Sequence, residues 1–280
     1  MASGENFPNP PIRLVSFELR FPIRRRVATR AVWDAFEEVF AADLPRVELL
    51  VREDDETQLP STPDEPVLRR SAAERDRVVT LRYGSLTVET TSYESYDKLR
   101  NCIKAGVKAL EAIPSATSFT RLGLRYINEL RVPGIEGMIR DWKPYVNPNF
   151  LATMEEPPSG YSASWVQGRV GFHSDKGGAH TLATYGPLAH SSVEPDGVLQ
   201  LKSFEGPCFL LDIDSFARGT TRQPVATSRR EVIDVVDRLH EAVESVFNWS
   251  ISEKLREEVF RVPPPFEGNV PKRRPESIHV

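Results

Sequence analysis

Between Ile12 and Phe21 apolar and polar side chains alternate, with Val15, Phe17, Leu19 and Phe21 on one side and Ser16, Glu18 and Arg20 on the other. A period of two over this length commits the segment to a half-buried β-strand, because a helix would scatter the apolar set around its surface. The pattern returns at 119–130, where Leu122, Leu124, Tyr126 and Leu130 alternate with Arg121, Gly123 and Arg125. After the first strand come a helix opened by Thr29, with Val32, Phe36, Val39 and Phe40 inward, and a short strand at 47–51. A hairpin around Gly84 follows at 77–92. Thr91 and Glu94 then have capping-box spacing and open a helix through Ile113, with Tyr96, Leu99, Ile103, Val107 and Leu110 inward. Downstream of the second strand, a short helix is expected near Ile135–Trp142 and strands at 162–173, 179–186, 197–204 and 207–216. Ser228 with Glu231, and Ser250 with Glu253, open two closing helices, the first with Ile233, Val236, Leu239, Val243 and Phe247 inward.

This order predicts an α+β fold of two related lobes, each made of antiparallel strands packed against a long amphipathic helix. The opening strands would lie near one another in a shared sheet. The N-terminal lobe spans 12–113 and the C-terminal lobe 119–261, after an extended lead-in at 1–11 with three prolines. The charged stretch 52–76 is expected to be a mobile acidic surface loop, and 262–280 a disordered, proline-rich tail.

The 280 residues carry a formal charge of −4 and a pI near 5.9, so no overall basic field gathers nucleic acid or anionic lipid. No apolar run approaches the roughly 18 residues of a membrane span, and no secretory signal is visible at the N-terminus. Cys102 and Cys208 cannot build a disulfide framework or a cysteine-rich zinc site. A soluble cytoplasmic protein is expected. Its positive charge is lopsided, with 28 Arg against 8 Lys. Arginine pairs two-point with carboxylates and phosphates, but codon bias is the plainer explanation of the excess.

Four ordered segments carry a resemblance: NPPIRLVSFELRF at 9–21, TRLGLRYINEL at 120–130, FLLDIDSF at 209–216 and LHEAVESVFNWSISEKLREEVF at 239–260. Together they resemble a sporadically distributed bacterial family of uncharacterised proteins. Its members share an N-x-P-I strand, a central L-R-Y-I-N strand and a C-terminal helix pair with I-(T/S)-x-K-L-R. The longer 52–76 loop and the C-terminal tail depart from that pattern. The family's patchy distribution implies accessory genes of the kind that hold defence and toxin–antitoxin systems. It implies no catalytic residue and no cofactor.

Several constellations could carry chemistry. Asp212 and Asp214 lie two apart on one strand face, the spacing at which a carboxylate pair holds a divalent ion or runs acid–base chemistry. Simple solvation, or pairing with arginines across the sheet, ranks above that. His173 and His180 bracket a turn with His190 beyond, but surface hairpin histidines outrank a zinc site. His240 reads as a boundary residue of the long helix, and both cysteines as inert thiols. No nucleophile elbow, zincin, P-loop or C-x-x-C motif is present.

Arg20 and Arg125 occupy matching places after Leu19 and Leu124, each on the polar face of its strand. Close strands would bring two guanidinium forks to one surface, with Asn128 at the junction. Glu18, Glu129, the Asp212/Asp214 pair or a bound anion would be their partners, and an internal ion-pair network is the plainer outcome. Arg24, Arg25 and Arg26 add a second basic patch, with Arg30 nearby. The expected function is therefore non-catalytic binding of a partner protein or a small anionic ligand, without a cofactor and with an oligomer left open. Nucleic acid ranks lower, and a metal-dependent hydrolase or nuclease using Asp212 and Asp214 is the alternative.

Overall fold

The computed structural model describes residues 7–23, 29–51, 62, 64–113, 118–154, 157–174, 178–191, 193, 197–202 and 204–262. Its nine strands are β1 (Ile12–Arg20), β2 (Arg46–Leu50), β3 (Pro66–Ser71), β4 (Arg77–Arg82), β5 (Ser85–Thr90), β6 (Arg121–Leu130), β7 (Gly168–His173), β8 (His180–Leu188) and β9 (Cys208–Arg218). The helices are α1 (Arg30–Phe40), α2 (Tyr96–Leu110), the single-turn α3 (Ile139–Trp142), α4 (Arg229–Ser250) and the short α5 (Glu253–Leu255).

All nine strands join one antiparallel sheet in the order β2-β3-β4-β5-β1-β6-β9-β8-β7. This corrects the expectation of two lobes. At the midline, β1 bonds β6 from Ile12↔Asn128 to Arg20↔Arg121, leaving no boundary between halves. A single apolar core runs from Val32 and Phe36 of α1 through Val15, Phe17 and Leu124 to Val236 and Leu239 of α4. Local periodicity shows that a segment is a strand, but not which distant strand it pairs with, and that pairing decides the matter here.

The alternation expected from the sequence sorts the sheet's faces. Val15, Phe17 and Leu19 are fully buried, while Ser16, Glu18 and Arg20 on the other face are not. Helices α2 and α4 pack against the sheet, the former on β5 and the latter on β6, β8 and β9, with α1 beside α2. Burying Phe17, Leu122 or Leu211 to zero exposure is worth roughly 2 kcal/mol each by area. Gly106 allows the close approach of α2, since a Cβ there would stand 2.9 Å from the Leu86 side chain.

Several local expectations shift. Pro66–Ser71, inside the segment expected to be loop, is strand β3, with Val67 and Leu68 buried. Its charged Arg70 is accommodated by bonds to the Leu44 carbonyl and the Glu37 carboxylate. Residues 52–61 and 63 lie outside the described residues, as do 1–6 and 263–280. Phe7 and Asn9 lie against the segment after α5: Phe7 packs on Phe260, and Asn9 N–H donates to the Phe260 carbonyl at 3.1 Å. Strand β7 begins only at Gly168. Helix α2 is capped by Ser95 rather than opened at Thr91, and α5 by Ser252 rather than Ser250. Ser228 caps α4 as its spacing predicts, accepting from the Glu231 amide at 3.2 Å.

The described residues of 197–204 form no strand. They belong to a strap between β8 and β9, described at 189–191, 193, 197–202 and 204–207, that runs by way of the first half of the chain. Gln200 N–H donates to the Arg75 carbonyl, Thr91 Oγ1 donates to the Gln200 carbonyl, and Arg13 donates to the Lys202 carbonyl. Val78, Val193, Leu199, Cys208 and Leu210 are buried without belonging to the main core. They are contributed by β4, β9 and the strap. The charged centre under the strap is Glu129, whose side chain is fully buried and meets Arg131 at 2.8 Å, Arg13 at 3.2 Å and the Ser191 hydroxyl.

Candidate functional site

The polar face of the sheet carries the residues singled out in sequence. Antiparallel pairing sets Ser16 opposite Arg125, Arg20 opposite Arg121, and Arg125 in turn opposite Asp214 of β9. Alternation then places Glu18, Arg20, Arg121, Arg125, Asp212, Asp214, Phe216 and Arg218 on one side of three adjacent strands. Arg20 and Arg125 share this face, as expected, and internal carboxylates engage both.

Arg125 grips Asp212 through two bonds, Nε to Oδ1 at 2.8 Å and Nη2 to Oδ2 at 2.6 Å. Arg20 donates from Nε to Glu18 Oε1 at 2.9 Å. Between them lies Arg121, which the sequence marks only as a polar-face residue. It reaches Glu18 through Nη1 and lies 3.7 Å from Asp214 through Nη2. The signal that could have found it is Gly123, two residues on: a Cβ there would sit 2.6 Å from Arg121 Nη1, so the missing side chain leaves room for the guanidinium to lie across the strand. Arg121 and Arg218 also stand over the Phe216 ring, at 5.4 and 4.5 Å from its centroid.

The two central pairs are asymmetric. Arg125 keeps 49% of its side-chain exposure against 14% for Asp212, and Arg20 57% against 23% for Glu18. The carboxylates are sunk and the guanidinium groups face outward. Only the Nε and Nη2 donors of Arg125, and only Nε of Arg20, are engaged among the described residues. A guanidinium has five N–H donors, so each keeps an outer edge for an external acceptor.

Asn128 does not join them. It is buried, and its Nδ2 donates to the Leu211 carbonyl at 3.0 Å, tying β6 to β9. Arg24, Arg25 and Arg26 lie outside the described residues. Asp212 and Asp214 share a face without converging on a cation position, because Arg125 already takes both oxygens of Asp212. Burial raises the Asp214 carboxyl above its ordinary range, with Arg121 and Arg125 opposing the rise. Among the described residues no group of three or more His, Cys, Asp or Glu side chains has metal-holding geometry.

His173 and His180 are cross-strand neighbours with their Nδ1 atoms 3.1 Å apart, and the His180 ring stacks on Phe216. On the helical side, His240 is more than a boundary residue. Its ring stacks on Tyr96 at 3.7 Å, and its two nitrogens lie 3.4 Å from Tyr126 Oη and 3.4 Å from Glu244 Oε1. Tyr96 donates to Asp237 at 2.6 Å, and Arg100 grips the same carboxylate twice. Burial drives the His240 imidazole down to about 4, so it is neutral at pH 7. This cluster locks α2 and α4 together and onto β6. Both cysteines are unpaired, and burial pushes each thiol up to about 11, far from a reactive thiolate.

No helix among the described residues is long and apolar enough to cross a membrane. No family model, curated protein or solved structure matches the chain.

Proposed function

We propose that this chain is a non-catalytic binding protein that recognises an acidic partner protein on the polar face of its sheet. One observation carries the reading: Arg20 and Arg125 are oriented by sunken carboxylates through their inner donors and turn unused donor edges outward. Both stand on central strands bonded on each side, so little freedom is lost when an acceptor arrives. Charge-assisted, two-point bonds of this kind give specificity and speed association. The unpaired, unreactive thiols fit a reducing, cytoplasmic setting.

The test uses the full chain as bait in a nuclease-treated lysate of its native host. Wild type is compared with the Arg20→Ala/Arg125→Ala double variant and with Arg230→Ala, which removes an exposed charge on α4. Circular dichroism verifies that each variant is folded. A protein held by wild type and Arg230→Ala, and lost from the double variant and at raised salt, is the expected outcome. Equal retention by all three would overturn the reading. So would retention seen only in a parallel lysate left without nuclease, because the partner would then be nucleic acid.

A further inference from the structure

A cavity of about 220 Å³ opens between the ends of β8 and β9 and the middle of α4. Ala179, Ala217, Val225, Val235 and Leu239 supply its apolar lining, and Arg218 and Arg238 are its charged residues; among the described residues no carboxylate lines it. Neither arginine has a carboxylate partner among the described residues. Arg218 ends β9 at the cavity's edge, with its guanidinium 4.5 Å from the Phe216 ring on the polar face. Elsewhere on the sheet, Arg20, Arg121 and Arg125 are each met by an acid.

The cavity's outer wall is built rather than loose. Thr220 N–H donates to the Gln223 carbonyl at 2.9 Å, and Gln223 N–H donates back to Thr220 Oγ1 at 3.0 Å. Gly219 and Val225 amides donate to the Thr120 and Phe119 carbonyls, both at 2.8 Å, which ties the turn to the residues leading into β6. A Cβ on Gly219 would fall 2.4 Å from the Gln223 carbonyl oxygen, so only glycine permits this fold-back. On the inner side, Val235 and Leu239 are core residues of α4. A pocket with fixed walls needs little ordering on binding.

We infer that this cavity is a binding site for a small organic anion, a carboxylate or phosphate ester carrying an apolar body about the size of one ring. The size follows from volume: a dry cavity of about 150 Å³ takes up benzene, and this one is larger by roughly the space of an anionic group. The charge follows from Arg238 at the rim and Arg218 beside it, with no acid among the described lining residues. The site is separate from the outward edges of Arg20 and Arg125 and stands whether or not that face binds a protein.

Phenyl phosphate and benzoate are the probes, with benzamide and inorganic phosphate as controls, titrated into the full chain by calorimetry and by thermal shift. Saturable binding of phenyl phosphate or benzoate is expected. It should be at least tenfold weaker in Arg238→Ala, whose side chain is exposed on α4, and in Ala179→Leu, which fills the space. Arg20→Ala/Arg125→Ala should bind the probes as wild type does. Absence of binding by both anions overturns the inference, as does binding unchanged in Arg238→Ala. Equal affinity for inorganic phosphate or for benzamide also overturns it, since the body or the charge would then go unrecognised.

Discussion

His240 shows how a residue that looks ordinary in sequence becomes energetically exposed once its neighbours are known. Its imidazole is held near 4, below the ordinary 6.5, chiefly by burial, while Asp237 and Asp97 pull the other way. Between those values the unfolded chain binds a proton that the folded chain refuses. Its contribution to stability is therefore whole above about pH 6.5 and is lost as pH falls toward 4, on the order of 1–3 kcal/mol. Glu244, whose carboxyl is raised by burial and Glu241, acts in the opposite direction, so the informative quantity is a difference. Urea melts across pH 4–7 should show a weaker dependence in His240→Phe than in wild type; parallel curves would assign the acid sensitivity elsewhere. Gly123 is a second such residue. Gly123→Ala should leave the fold intact, because the atom displaced is the end of a flexible side chain, but it should loosen Arg121 from Glu18. A chemical-shift or crystallographic comparison of the Arg121 guanidinium checks this.

At the scale of elements, what the sequence made legible was what depends on near neighbours. The alternation of β1 and β6, the inward stripes of α2 and α4 and the Ser228 cap are all properties of residues a few positions apart. Strand β3 was hidden because PVLRRS puts two arginines in a run flanked by acids, and a buried Arg70 is intelligible only when Glu37 and the Leu44 carbonyl are seen beside it. GVLQLKSF erred in the other direction. Its alternation suits a strand, but its hydrogen bonds go to Arg75 and Thr91, and of its apolar residues Leu199 is buried while Phe204 is exposed. The Glu129 centre that this strap helps bury joins residues from both halves of the chain and left no local trace. Removing its one negative charge strands Arg13 and Arg131 together, so Glu129→Ala should cost about 3–5 kcal/mol. Denaturant melts would register that loss, and limited proteolysis should find new cleavage within 189–207. An unchanged melt and cleavage pattern would show the strap to be held by other contacts.

The whole molecule is governed by the β1–β6 seam. Two independent lobes would unfold separately, whereas a sheet continuous through its midline, with one core on its helical face, should unfold as a unit. Trp33 belongs to the first half of the chain and Trp142 to the second, and they can be monitored in variants keeping one or the other as the sole tryptophan. Coincident midpoints are expected, and two separated transitions would argue for autonomous halves. The continuous sheet also brings Arg20, Arg125 and the sunken Asp212 onto one platform although they are distant in sequence. That platform, with donors turned outward, is the centre of this account, and arginine footprinting tests it most directly. Phenylglyoxal modification is read by mass spectrometry on the free chain and on its complex with the captured partner. Arg20 and Arg125 should react in the free chain and be protected in the complex, while Arg230 on α4 reacts alike in both. Equal reactivity of Arg20 and Arg125 with and without the partner would contradict it.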